Sequence, residues 1–307
     1  MSPTPAPAEA EAVVEEEEQA PPCVLTFNAS EPTGAAGTGA DVATIAAMGA
    51  HPLPVVTVLL IRDTAEVFDQ HPIDSEVIVE QARSVLEDVP THAIKVGFLG
   101  NAEAVSAVAE VLSDYPDLPV VTHITTTPWL DDEQQSSYQD ALRELILPQT
   151  TLLVGNLGVL TEFLLPDWDG SRPASPRELA VEAQKLGAEH VLVTGIQLAT
   201  GFVDNVLAGP QGPITGEKFE RFEAGFIGAG DTLSAALASL LAVGVELNEA
   251  VGEALAFLDQ ALDAGFQLGM GLVVPDRFFW ALPPPEEGEE GAEPVDENTP
   301  PNPRRMH

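Results

Sequence analysis

Positive charge is what this chain has least of. Its 307 residues carry 12 lysines and arginines against 49 aspartates and glutamates, a formal net charge of −37, and the lysines number three: Lys95, Lys185 and Lys218. A surface this acidic repels phosphate backbones and anionic headgroups, so neither nucleic acid nor a membrane is expected as a partner. Cysteine is almost absent. The single Cys23 excludes a disulfide framework and a cysteine-based zinc site, and the six histidines are scattered rather than grouped. Long apolar runs are missing, and the first residues lack a basic stretch followed by an apolar core. The expected location is therefore cytoplasmic.

What charge there is has a distribution. Residues 1–22 hold six glutamates and no basic residue, and residues 283–307 hold seven acidic residues against Arg304 and Arg305. Both segments are rich in proline and lack periodic apolar positions, the composition of a chain that cannot offset its ordering entropy by burial. They are read as disordered tails around one folded domain over 23–282, which keeps a net charge of −26. Any site for a phosphate must be locally positive against that background. Helix N-termini, a bound cation, Arg62 and Lys95 are the available sources.

Within the domain, short apolar runs alternate with longer stretches of helical spacing. Strands are predicted at 24–27, 55–61, 93–96, 119–122, 151–154 and 190–194, and helices at 39–49, 75–86, 102–112, 138–147 and 176–186. Several of the strands show no polar alternation, as parallel strands covered on both faces do not. Repeated strand–helix units imply a mostly parallel sheet with right-handed crossovers. An antiparallel hairpin at one edge is predicted from 202–207 and 214–219, and two closing helices from 231–243 and 247–266. Asn28, Arg62, Gly97, His123, Gly155 and Gly195 all fall near strand ends. They would lie along the one rim where open α/β sheets bind ligands.

Two glycine-rich loops stand out. Gly228, Ala229, Gly230 and Asp231 lead straight into an alanine-rich helix. The glycines permit a tight turn, and the helix brings free N–H groups and the positive end of its dipole, which together form an anion cradle. An ordinary N-capped helix after a loop fits the same residues. A second loop, from Asn28 to Asp41, includes Ala29, Gly34 and Ala36; it is not a Walker A loop, because no Gly-Lys-Ser/Thr follows.

In order and spacing these features resemble the ribokinase-like superfamily, and within it the hydroxymethylpyrimidine/phosphomethylpyrimidine kinases of thiamine synthesis. The resemblance runs from about Val24 to Ala281. It rests on the two loops, on Lys95–Gly100, Leu145–Gln149 and Asn156, and on the closing stretch Gly269–Trp280. It implies an αβα three-layer sandwich and a kinase that uses ATP and Mg2+ to phosphorylate hydroxymethylpyrimidine or its monophosphate, commonly as a homodimer. Carried over by position, Asp231 is the catalytic base and Gly228, Ala229 and Gly230 the anion hole. Ala29, Gly34, Ala36, Asp41, Arg62 and Phe98 contact substrate, and Asn156, Thr194 and Gly195 the nucleotide. No metal ligands are assigned.

The departures from the family pattern are as specific. Asp231 stands where thiamine-pathway kinases usually carry cysteine and the wider superfamily aspartate. Arg62 stands where a glutamine typically reads the aminopyrimidine edge; with donors only, it cannot reproduce that pattern, and it is read as a sign of a changed substrate, as a phosphate contact or as a solvent-facing side chain. His123 falls in the segment where the family has an aspartate, and is read as a polar residue closing a strand rather than a metal ligand. Val159 replaces a glutamate, with Glu162 nearly one turn further on as a candidate substitute. Thr194-Gly-Ile replaces a Lys-Gly-Gly-type segment. The alternatives left open are a pyridoxal-type vitamin kinase and a kinase-fold binding or regulatory protein with weakened catalysis. Removing both tails, residues 1–22 and 283–307, should leave the melting temperature and activity nearly unchanged in moderate salt; a calorimetric scan and an activity assay of the truncated chain check this.

Overall fold

The computed structural model describes residues 20–199 and 201–281. The tails expected at 1–22 and 283–307 therefore lie outside the described residues, apart from residues 20–22. Nine strands form one sheet: β1 (Cys23–Ser30), β2 (His51–Arg62), β3 (Val67–Pro72), β4 (Ala93–Val96), β5 (Val120–His123), β6 (Leu152–Asn156), β7 (His190–Gln197), β8 (Phe202–Gly209) and β9 (Gly212–Glu220). Their spatial order is β3-β2-β1-β4-β5-β6-β7-β8-β9. The six strands from β2 through β7 in that order pair in parallel. β3 closes one edge antiparallel, and the β8–β9 hairpin closes the other. The order in which strands are added reverses at β1, with β2 on one side of it and β4 on the other, and this leaves a crevice beyond the carboxyl ends of the central strands.

Successive side chains of each central strand point to opposite faces, and both faces are apolar. Leu25, Ile94, Val120, Leu153 and Val191 enter one core, beneath α2 (Ser75–Leu86), α3 (Ala102–Ser113), α5 (Leu157–Leu164) and α6 (Pro176–Lys185). Val24, Ala93, Val121, Leu152 and Leu192 enter the other, beneath α1 (Gly37–Ala47), α7 (Ala229–Val243) and α8 (Leu247–Asp263). α7 is buried along its whole middle, from Thr232 to Leu240. Its sequence, nearly all alanine, serine and leucine, explains how it fits between the sheet, α1 and α8: small side chains let all three come close.

The expected architecture is present, with differences at the boundaries. A single helix over 138–147 is replaced by α4 (Asp132–Ala141), one wider turn at Leu142–Ile146 and a tight turn at Leu147–Gln149. Asp131 and Gln134 form a reciprocal cap that starts the helix early. Pro148, which has no N–H to donate, ends it early. Two elements were not expected. β3 is an edge strand ending in His71-Pro72, a place where proline is tolerated. α5 is eight residues long and begins where the Asn156 side chain accepts the Val159 N–H.

Candidate active site

Two helices begin at the crevice, and neither is capped by its own N-cap side chain. α1 starts after Ala36 and α7 after Gly228. α1 obtains its cap from across the fold: the Gly37 N–H donates to Asp231 Oδ2 at 3.0 Å. Asp231 belongs to the first turn of α7, yet its carboxylate caps the other helix. The leading N–H groups of α7, which have no partners within the helix, are left facing the crevice.

Glycine permits this convergence. Gly37, at φ 60°, lies so close to β1 that a Cβ would overlap the Ala29 carbonyl oxygen. Gly228, at φ 75°, would likewise collide with the Ala35 carbonyl. The two loops thus touch backbone to backbone. The contact is tied from behind by Arg277, which is almost fully buried: its Nη2 donates to the Ala35 carbonyl at 2.6 Å and its Nε to Thr232 Oγ1 at 3.0 Å. Burial lowers the pKa of this guanidinium, opposed by Asp231, Asp41 and Glu31.

Beneath Asp231 lies a buried polar network. Lys95 Nζ donates to Asp231 Oδ1 and to Asp41 Oδ1, both at 2.8 Å. Asn28 Nδ2 donates to Asp231 Oδ1 at 2.9 Å and to Asp41 Oδ2 at 3.0 Å, and Thr26 donates its hydroxyl to the same Asp41 oxygen. The Asn28 amide oxygen in turn accepts the N–H groups of Ala29 and Phe98. Lys95 and Asp41 are wholly inaccessible to solvent. Burial alone would raise the Asp231 pKa, but Lys95 and His123 outweigh it and hold the carboxyl well below the usual range. For Lys95 burial acts downward, yet the two carboxylates together raise its pKa. At Asp41 burial prevails over Lys95 and pushes the carboxyl up.

Above the network opens a cavity of about 600 Å³, lined by Ala36, Arg62, His123, Trp129, Asn156, Thr194 and the start of α7 from Gly228 to Asp231, among others. It shares Thr194 and Phe226 with a smaller apolar cleft of about 240 Å³, which includes Gly195, Phe219, Phe222 and Leu258. Of the residues expected at the site, Ala36, Arg62, Asn156, Thr194, Gly228, Ala229, Gly230 and Asp231 line the larger cavity, and Gly195 lines the cleft. The others stand back. Asp41 is sealed under Lys95; Ala29 and Phe98 are buried; Gly34 is on the exposed face of its loop. Phe98 supports the site indirectly, packing edge-on against Trp129 with ring centroids 5.4 Å apart. Lys95, counted among the cations available to a phosphate, is consumed by two carboxylates. Glu162 does not reach the cavity; it accepts a hydrogen bond from Gln135 on the outer surface.

His123 is the residue whose placement was least anticipated. Its ring lies against Gly230, where Nε2 takes the space that a Cβ on that residue would need, and its Nδ1 is 3.7 Å from Asp231 Oδ1. That distance is too long for a hydrogen bond.

Comparisons with known proteins identify the family and the fold. Residues 31–276 match the family model described as phosphomethylpyrimidine kinase. The chain belongs to that family. It is 32% identical over 266 residues to a hydroxymethylpyrimidine/phosphomethylpyrimidine kinase of Streptomyces coelicolor, covering 85% of this chain and 96% of that one. It is 32% identical over 257 residues to the enzyme of the same name from Salmonella typhimurium, covering 80% and 93%. Among solved structures, the ADP complex of Bacillus subtilis pyridoxal kinase superposes with a TM-score of 0.76 at 24% identity, over 86% of this chain and all of that one. A phosphomethylpyrimidine kinase from Clostridium difficile superposes with a TM-score of 0.65 at 24% identity, over 78% and 99%. These two likenesses establish the ribokinase-like fold.

Replacing Lys95 with methionine leaves the buried Asp41 and the partly buried Asp231 without their cation and should cost about 3–5 kcal/mol, measured by urea denaturation. The pH dependence gives a second readout. Because the folded-state pKa of Lys95 is raised, its contribution is present below the ordinary lysine value of 10.5 and is lost as pH rises past the folded value. The wild type should show that alkaline loss of stability, and Lys95→Met should not.

Proposed function

We propose that this protein transfers the γ-phosphoryl group of ATP to the hydroxymethyl oxygen of a substituted pyrimidine, or to the phosphate of its monophosphate, as in thiamine biosynthesis. The observation that carries this reading is the uncapped start of α7, with Gly228, Ala229 and Gly230 opening into a cavity large enough for both reacting groups. Backbone N–H groups and the helix dipole supply positive potential there without basic side chains, which suits phosphoryl transfer in a chain of net charge −37. The adjoining apolar cleft beside Phe219, Phe222 and Phe226 fits the base of the nucleotide, with Thr194 at the junction leading its phosphates towards α7.

Magnesium is implied by the family, but the side chains here do not form a site for a protein-held metal. Among the described residues no group of three or more His, Cys, Asp and Glu is arranged to hold one, and Asp231 has its Oδ1 engaged by Lys95 and Asn28. No step is assigned to a metal.

ATP consumption measured in parallel with hydroxymethylpyrimidine, its monophosphate and pyridoxal tests the reading. Turnover is expected with the pyrimidines. Turnover with pyridoxal alone reassigns the substrate, and none with any acceptor leaves a binding protein built on a kinase fold.

Arg62 is the one lysine or arginine lining the larger cavity among the described residues, with its Nε bonded to the Asp63 carbonyl at 2.9 Å. Its role is a phosphate contact for the monophosphate substrate. Arg62→Gln should weaken the monophosphate about ten- to a hundred-fold, the worth of a charge-assisted hydrogen bond, and leave the unphosphorylated compound far less affected. Paired titrations of both ligands provide the check, and equal losses for the two would remove Arg62 from phosphate recognition.

A further inference from the structure

The closing stretch Gly269–Trp280 is one of the segments that carry the family resemblance, and of its residues only Arg277 has a role in the site described above. The stretch begins beside the turn that joins β2 to β3. That turn and its flanks bring Arg62, Ala65, Glu66 and Val67 to the larger cavity. It is closed on itself: the Asp63 N–H donates to the Glu66 carbonyl at 3.2 Å, and Asp63 Oδ1 accepts the N–H groups of Ala65 and Glu66 at 2.7 and 2.9 Å. These bonds fix the shape of the turn. They do not fix its distance from the start of α7, which lies far along the chain.

A strap of backbone crosses that distance. After α8, Phe266 and Val274 exchange both of their backbone hydrogen bonds, at 3.0 and 2.9 Å, and close a loop. On its returning arm the Leu272 N–H donates to the Thr64 carbonyl at 3.0 Å, and the Gly271 N–H to Thr64 Oγ1 at 3.2 Å. The next residue bonds on the other side. The Val273 N–H donates to the Gly225 carbonyl, and the Val273 carbonyl accepts the Ile227 N–H, both at 3.0 Å. Three consecutive residues thus join the turn beside Arg62 to the loop that becomes Gly228, Ala229 and Gly230. Leu272, the middle one, lines the cavity itself.

Glycine at residue 271 is what the contact needs. A Cβ there would overlap the Thr64 carbonyl and stand 2.6 Å from the Ala65 nitrogen, and backbone atoms give way only if the chain that carries them moves. The two ends of the strap differ in how far they can yield. Ile227 and Val274 are buried together with Ala35, whereas the turn sits at the edge of the sheet with Asp63, Ala65 and Glu66 exposed. The turn is the end that shifts.

We infer that Gly271 and Thr64 are positioning residues, through which the segment after α8 sets the span between Arg62 at the acceptor end of the cavity and the N–H groups at the start of α7; the assignment rests on the kinase reading above. Reacting atoms must be held about 3–3.5 Å apart, and a misplacement of about 1 Å costs about 10²-fold in rate. A backbone contact that spaces the two ends therefore acts on the reaction without touching either reactant.

Titrations and kinetics on three variants test this. Gly271→Ala should lower kcat/KM for the pyrimidine monophosphate about 10²-fold and weaken its binding, while the affinity for the non-hydrolysable ATP analogue AMP-PCP and the melting temperature stay near their wild-type values. Thr64→Val keeps the size of the side chain but not its hydroxyl, and should lose about two- to ten-fold, the worth of one hydrogen bond. Thr64→Ser should keep the wild-type value. A merely structural role would separate neither serine from valine nor acceptor from nucleotide. Wild-type kcat/KM and monophosphate affinity in both Gly271→Ala and Thr64→Val overturn the inference and leave the kinase reading standing. Equal losses of affinity for AMP-PCP and the monophosphate overturn it too, because the strap then serves the fold as a whole. If the wild type turns over no acceptor, the kinase reading fails while the same titrations still decide whether the strap positions the ligand-binding turn. A wild type that neither turns over nor binds a pyrimidine overturns both.

Discussion

The structure turns on one lysine. Lys95 comes from the middle of a parallel strand, has no solvent contact, and holds at 2.8 Å one carboxylate from α1 and one from α7. A buried charge is tolerable only if it is paired and fully hydrogen-bonded, and here the partners come from opposite ends of the chain. The pairing therefore does more than neutralise charge. It draws the starts of two helices onto the end of β4, and the remaining oxygen of Asp231 then serves as the missing cap of α1. Removing Lys95 takes a donor from both carboxylates at once, so the two helix starts depend on the same side chain.

Arg277 makes a similar contact one layer behind. It bonds the Ala35 carbonyl and Thr232, so the loop before α1 and the first turn of α7 share a single guanidinium. A Cβ on Gly228 would also approach its Nη2 to 2.8 Å, so the cation sits directly against the anion cradle. With Lys95 it brings two buried cations to the carboxylates of Asp41, which is buried, and Asp231, which is partly so. The acidic surface and the reaction centre are thus electrostatically separate: net charge accumulates where water screens it, and the centre is kept near balance by side chains the solvent does not reach.

The fold was legible in the sequence because its signals are local. Short, mostly apolar runs such as Val24–Phe27 and Thr151–Val154, set between helical stretches, read as doubly covered strands, and the cap chemistry at Asp74, Asn101 and Ser175 sets where helices begin. The site was legible where backbone makes it. Gly228, Ala229 and Gly230 lie where a glycine turn feeding a helix must put them. It was illegible where contacts between distant residues decide. That Asp41 would be sealed beneath Lys95 depends on a pairing across 54 positions, and that Asp231 would cap α1 depends on one across 194. One local clue did exist: a lysine inside the fully buried strand Ala-Ile-Lys-Val needs carboxylates within reach.

Two of the departures from the family pattern, at residues 123 and 231, meet in space. An aspartate at residue 231 adds a second carboxylate next to Asp41, which a neutral thiol would not do, and Lys95 and Arg277 then have two charges to answer. Another carboxylate at residue 123, against Gly230 and within 4 Å of Asp231, would place a third negative charge at the spot where a phosphoryl group must bind. Histidine there avoids the repulsion and fills the same space. The exchange at residue 123 is thus the counterpart of the aspartate at residue 231: with one anion already fixed beneath the helix N-terminus, the rim position opposite it favours a group that can be neutral or positive.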